Sequence, residues 1–141
     1  FEGFCSGGGI AQLGCALALE RIQRGEPAAF CPDLQSLKKL DAKLIASAAN
    51  SGDPVAAEVF RGCGKMLGRG LAVLIDILNP ELIIIGSIFG RCEKLLRSAM
   101  ERELEREALP RSRAVCRVVP AALGEALGDF AALAVAQSAA Q

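Results

Sequence analysis

Leu67-Gly68-Arg69-Gly70-Leu71-Ala72-Val73-Leu74-Ile75-Asp76-Ile77-Leu78-Asn79-Pro80-Glu81-Leu82-Ile83-Ile84-Ile85-Gly86 changes its periodicity once, at Asn79-Pro80. Before that pair, leucines return every three or four positions, the spacing of a helix face. After it, Leu82-Ile83-Ile84-Ile85 is a β-branched run without alternation, the pattern of a buried central strand in a parallel sheet. Upstream, the helical spacing extends back through Val55, Val59 and Cys63. Asn50-Ser51-Gly52-Asp53-Pro54 supplies the start signal, with Asp53 as cap and Pro54 at the first helical position. The spacing therefore predicts one helix of about seven turns, rising about 1.5 Å per residue and ended by Asn79-Pro80. Gly62, Gly64, Gly68 and Gly70 lie inside it, and each costs about 1 kcal/mol relative to alanine. Four such residues in one helix imply close approach by a neighbouring element or a ligand.

Outward from this stretch, Arg91 to Glu107 reads as an amphipathic helix. Leu95, Leu96, Met100 and Leu104 face inward, and Glu93, Arg97, Glu101 and Glu105 face outward. Ala114 to Val119 is a second candidate strand, and Gly128-Asp129 opens a final alanine-rich helix through Ala136 or beyond. Toward the N-terminus, Ser6 followed by Gly7-Gly8-Gly9, Ile10, Leu13 and Leu17 reads as a glycine-rich turn opening a helix. Gly25 and Pro27 stop that helix near Arg24. Leu37, Leu40, Leu44 and Ile45 then carry helical spacing up to Asn50. Strand, helix, strand is a βαβ unit. Two strands do not make a stable open sheet, and an isoleucine-rich strand is not left as an exposed edge. The remaining strands are therefore expected from residues N-terminal to Phe1.

The composition narrows the function classes. The 141 residues suit one domain, and 52% are hydrophobic, with six Phe and neither Trp nor Tyr. The core is thus built from Leu, Ile, Val and Ala, which favours close helix packing. Sixteen basic residues balance sixteen acidic ones, so there is no basic excess of the kind that phosphate neutralisation by a nucleic-acid binder needs. The six cysteines form no C-x-x-C pair and there is no histidine, so this segment cannot supply a zinc site alone. Neither a disulfide framework nor a secretory leader is apparent, and a reduced, cytosolic location is expected. The longest apolar stretch, Leu71 to Leu78, is interrupted by Asp76 and is too short to cross a bilayer.

Gly86 and Ser87 sit at the carboxyl end of the candidate strand. Ligands of open α/β sheets bind there, and glycine lets backbone approach a nucleotide; the competing reading is a simple strand-to-helix turn. Gly7-Gly8-Gly9 could present N–H groups to an anion, or could serve tight packing of the helix start. Arg61, Lys65 and Arg69 form one stripe of the long helix and read as a solvated face.

The order of these signals resembles one family. Phe1-Glu2-Gly3-Phe4-Cys5-Ser6-Gly7 resembles the segment G-C-x-E-x-x-x-S-G of ROK proteins, the bacterial repressor-and-kinase family, entered just after its cysteine. Ala48 to Ala56 resembles that family's A-x-x-G-D-x-x-A helix entry. Leu67 to Gly86 resembles L-G-x-G-L-A-x-L-I-N-x-L-N-P-E-x-I-V-I-G almost continuously, and Leu123-Gly124-Glu125 with the helix from Ala131 resembles the closing L-G-x-x-A-x-x-x-G-A-A. Two departures stand out: Gly86-Ser87 replaces the family's Gly-Gly, and Ala131-Ala132 replaces its Gly-Ala.

The resemblance implies an α/β fold: the C-terminal lobe of a ribonuclease-H-like, actin-like ATPase, helix-rich with part of a mixed sheet. Residues 1–141 would be that partial lobe, without its N-terminal partner. It implies a kinase that transfers the γ-phosphate of ATP, with Mg, to a hexose hydroxyl of glucose or N-acetylhexosamine type. The alternative is the sugar-sensing domain of a ROK-type repressor. Glu2 matches the family's sugar-binding glutamate, a carboxylate able to accept from two hydroxyls at once; the plain alternative is a solvated terminal side chain. Gly86 and Ser87 match its nucleotide side. No catalytic residue and no metal ligand falls in this segment; the base, the phosphate loop and a structural zinc would lie upstream. A cytoplasmic homodimer is implied, with nucleic acid as a partner only if a winged helix precedes the lobe.

Overall fold

The computed structural model describes residues 2–139, apart from the side chains of residues 2, 125, 127 and 139. Helices α1 (Glu2–Cys5) and α2 (Gly7–Gln23) are followed by a 3-10 turn at Ser36–Lys39, then α3 (Ala42–Asn50) and α4 (Pro54–Leu78). Strand β1 (Leu82–Ile85), α5 (Ile88–Glu107), α6 (Pro110–Val115), β2 (Arg117–Pro120) and α7 (Leu127–Ala139) complete the order.

The long helix forms as its signals predict. Asp53 Oδ1 accepts the N–H groups of Val55 and Ala56, both at 2.9 Å. Asn79 closes the helix in the left-handed conformation, φ 45° and ψ 51°, the usual way to satisfy its last carbonyls. α4 is the spine of the lobe. It packs most extensively against α5 and also touches α1, α2 and α3. Phe60, Cys63, Ile75, Met100 and Leu104 are all at most 1% exposed along it.

A neighbouring backbone, not a ligand, accounts for two of the α4 glycines. A Cβ on Gly64 would lie 2.6 Å from Leu96 O, and one on Gly68 would lie 2.5 Å from Met100 O. The α4 and α5 backbones meet at those two positions, and only glycine admits the approach. Glu103 sits at the same seam, 5% exposed at its side chain, and accepts from Arg69 Nε at 2.7 Å and Arg106 at 2.5 Å. Arg61, Lys65 and Arg69 are all exposed, as the solvated reading expects, but Arg69 also reaches across to Glu103.

β1 and β2 pair in parallel, with Leu82 opposite Arg117 and Ile84 opposite Val119. The expectation of a strand buried on both faces is corrected. Ile83 and Ile85 pack on the helical core, but Leu82 is 41% and Ile84 61% exposed. The cause is one-sided cover. Helices lie on one face of the pair, while α7 leaves Phe130, Leu133 and Val135 each more than half exposed. Of the mixed sheet that was expected, the described strands supply a parallel pair.

Three boundaries also move. The helix read from Leu37 to Asn50 is broken, because Leu40 is extended and Asp41 caps α3 by accepting Leu44 N–H at 2.7 Å. α5 begins at Ile88, three residues before Arg91, and kinks at Cys92, φ −117°. Ala114 and Val115 are helical, since Pro110 starts a short helix at its first position, so β2 begins only at Arg117.

Candidate functional site

The site grows out of the carboxyl end of β1. After Ile85 and Gly86 the chain turns at Ser87, φ 53° and ψ −124°, and enters α5 with Ser87 as its N-cap. Among the described non-glycine residues, only Asn79 and Ser87 have positive φ. Asn79 is an ordinary helix terminator. Ser87 lies in the mirror image of extended backbone, a region that glycine enters freely and a side chain enters at a cost of about 1–3 kcal/mol. Its hydroxyl makes no cap bond to α5 and instead accepts from the Arg91 guanidinium at 3.3 Å.

Two adjoining cavities share Gly7, Ser87 and Ile88 as lining. The larger, of about 1020 Å³, is walled by the first turn of α2 (Gly7, Gly8), by α3 (Lys43, Ser47, Asn50) and by α5 (Arg91, Cys92). That volume is at the top of the ~300–1,000 Å³ range typical of small-molecule sites. The smaller, of about 250 Å³, is apolar and thiol-lined, with Cys5, Cys63, Leu67 and Phe89 behind Gly86. Burial, helped by the nearby Cys5, pushes the Cys63 thiol up to about 11. It is therefore protonated at neutral pH and a poor nucleophile.

The glycine run divides its labour. Gly7 and Gly8 face the larger cavity, while Gly9 is a packing residue, since a Cβ there would lie 2.5 Å from Gly3 O. α1 therefore rests directly on the α2 backbone. Ser6 fixes that start by accepting Gly9 N–H at 3.0 Å. Glu2 is carried on α1, and its side chain lies outside the described residues. Gly86 and Ser87 directly follow β1; Ser87 lines both cavities and Gly86 the smaller one. Lys43, Asn50 and Arg91 were not singled out as site residues. Their only local signal was polarity on helices, and it takes the approach of α3 to α5 to bring them to one cavity.

The chain has recognisable relatives. The ROK family model matches residues 1–139. Over 91 residues the chain is 36% identical to the DNA-binding transcriptional dual regulator NagC of Escherichia coli (strain K12), covering 63% of this chain and 22% of that protein. Over 110 residues it is 31% identical to the glucokinase of Halalkalibacterium halodurans, covering 78% of this chain and 32% of the enzyme. It superposes on the crystal structure of a ROK family transcriptional regulator, a homologue of E. coli Mlc, with a TM-score of 0.69 and 28% identity, covering 84% of this chain and 28% of that one. The chain thus spans under a third of each of these relatives. Matched along nearly its whole length, it belongs to the ROK family and forms an α/β part of that family's actin-like ATPase fold.

Proposed function

We propose that these residues are the C-terminal lobe of an ATP-dependent hexose kinase, acting on a sugar of glucose or N-acetylhexosamine type. The observation that carries this reading is the cleft at the carboxyl end of β1, lined by Ser87, Lys43 and Arg91, with Gly86 on the adjoining smaller cavity. A strand end of this kind is where open α/β sheets take nucleotides. The donor set fits ATP. Lys43 answers phosphate charge beside the Asp41 carboxylate of the same lining, Ser47 and Asn50 offer hydrogen bonds, and Gly7 and Gly8 allow close approach of backbone. ATP, when bound, supplies the phosphoryl group. This lobe's part is to hold and orient the nucleotide, with Glu2 as the contact that orients the sugar.

Among the described residues, no group of three or more acidic or cysteine side chains is placed to hold a metal ion. The reading assigns the ligands for Mg²⁺, and those for a structural zinc, to other parts of the molecule. The same reasoning assigns the exposed faces of β1 and α7 to an N-terminal lobe, which would complete the sheet and bring the catalytic base. Among the described residues no helix is long and apolar enough to cross a membrane. A cytoplasmic homodimer remains part of the proposal.

A second reading has its own support. The match to NagC is higher in identity than that to the glucokinase, 36% against 31%, and on that ground the lobe would serve as the sugar-sensing part of a repressor. Incubation of the intact protein with ATP and a panel of hexoses separates the two. Sugar phosphate formation supports the kinase. No turnover with any sugar, together with sugar-dependent release from DNA, supports the repressor. Residues 1–141 alone are expected to be inactive, because positioning of the nucleophile and of the phosphates requires groups they lack. Kinase activity from them would overturn the division of labour.

A further inference from the structure

Ser87 occupies a backbone conformation that suits glycine, yet it carries a side chain and makes no cap bond to the helix it begins. Strain of this kind persists only where the surroundings hold it. The side-chain bond that Ser87 makes is to Arg91, one turn further along α5, whose guanidinium donates to its Oγ at 3.3 Å. Both residues line the larger cavity, and Ser87 also lines the smaller one, so the turn is the partition between the two.

Resting on the nucleotide reading of this cleft, we infer that Arg91 is a positioning residue. Its hydrogen bond holds Ser87 in the glycine-like conformation, and so keeps the Ser87 backbone facing the phosphate groups of the nucleotide. A chain with glycine at this position would need no such brace. Here the side chain makes the turn conditional on Arg91.

The inference distinguishes itself from a direct Arg91–phosphate contact by coupling. Residues that act through one another are non-additive in a double-mutant cycle. The test is ADP and glucose binding to the intact protein by calorimetry, for the unsubstituted form, Arg91→Ala, Ser87→Gly and the double variant. Arg91→Ala is expected to weaken ADP binding about tenfold while leaving glucose binding unchanged, and in the Ser87→Gly background to change ADP binding less than about twofold. The same loss in both backgrounds, or no loss in either, would overturn the positioning role. Loss of glucose binding in parallel would overturn it too, by showing general damage. If Arg91→Ala does not fold, Arg91→Gln carries the same cycle. Failure of the unsubstituted protein to bind ADP would sink the nucleotide reading along with this one; ADP binding with an additive cycle sinks this one alone.

Discussion

On one face of the β1–β2 pair, Ile83, Ile85 and Val118 turn toward a helical core whose two main helices touch backbone to backbone at Gly64 and Gly68. On the other face, Leu82 and Ile84 stand open; α7, further along the chain, also presents Phe130, Leu133 and Val135 to solvent. The covered face is wholly apolar, whereas the open face sets Arg117 beside Leu82, Ile84 and Val119. The difference lies in what this chain brings to cover them. Burial of apolar surface contributes about 25 cal/mol per Å² removed from water, and here nearly all of that contribution comes from the α4–α5 side. Stability is thus expected to be concentrated at one seam, while the opposite face contributes little of it.

That asymmetry can be broken most violently at the seam. Leu104→Ala empties a fully buried position and is expected to lower unfolding free energy by about 2–5 kcal/mol, read from urea midpoints. Gly68→Ala inserts a methyl group against the Met100 carbonyl, with an expected loss of about 1–3 kcal/mol and a visible shift of α5. A seam that tolerated alanine at residue 68 would show that the two backbones are further apart than described.

The charge at the seam gives a gentler, pH-dependent lever. The hydrogen bond from Arg69, then the charges of Arg106, Arg69 and Lys65, hold the Glu103 carboxyl below its ordinary value of 4.5, against the opposing effect of burial. A carboxyl depressed in the folded state contributes stability that is fully present above about 4.5 and is lost as pH falls through the lower folded value. Glu103→Gln should therefore flatten the fall in stability below pH 4.5, as followed by melting temperature across pH 3 to 7; a parallel fall in both proteins would remove the ion pair from the account.

Smallest of all should be Ile84→Thr on the open face. In residues 1–141 alone it is expected to change stability by less than about 0.5 kcal/mol, the usual range for exposed positions. In the intact protein the same substitution should cost several times more, if a further lobe covers that face. Equal effects in the two contexts would mean that Ile84 remains in solvent.

Much of this architecture was readable from local chemistry. Asp53-Pro54, Ser6 and Asn79-Pro80 act within one helical turn, so their neighbours suffice to define the ends of α2 and α4. Misreadings fell where two local signals competed. Leu40 fitted a helical spacing, but the Asp41 carboxylate offers Leu44 N–H a better partner and breaks the run. Ala114 and Val115 had strand character, but Pro110 nucleates a turn of helix first. The long-range chemistry was hardly legible. Arg97 was placed on an outward face. It bonds Glu93 and Glu101, reaches the Val118 carbonyl at 3.3 Å and stacks 5.6 Å over Phe89. An i, i+4 pattern says which helix face a residue shares, not which strand will arrive there. The cleft follows the same rule: Gly86 and Ser87 are proposed from the strand they follow, whereas Lys43 and Arg91 meet only through the approach of α3 to α5.

The seat of α1 on Gly9 has a mechanical consequence. Side-chain contacts can absorb a displacement by changing rotamer, but a carbonyl resting on a bare Cα has no such compliance. α1 and the first turn of α2 should therefore travel as one stiff piece. Any molecule that pushes Gly7 and Gly8 away from the α3 wall would carry residue 2 with it, like the far end of a short lever pivoting at Ser6.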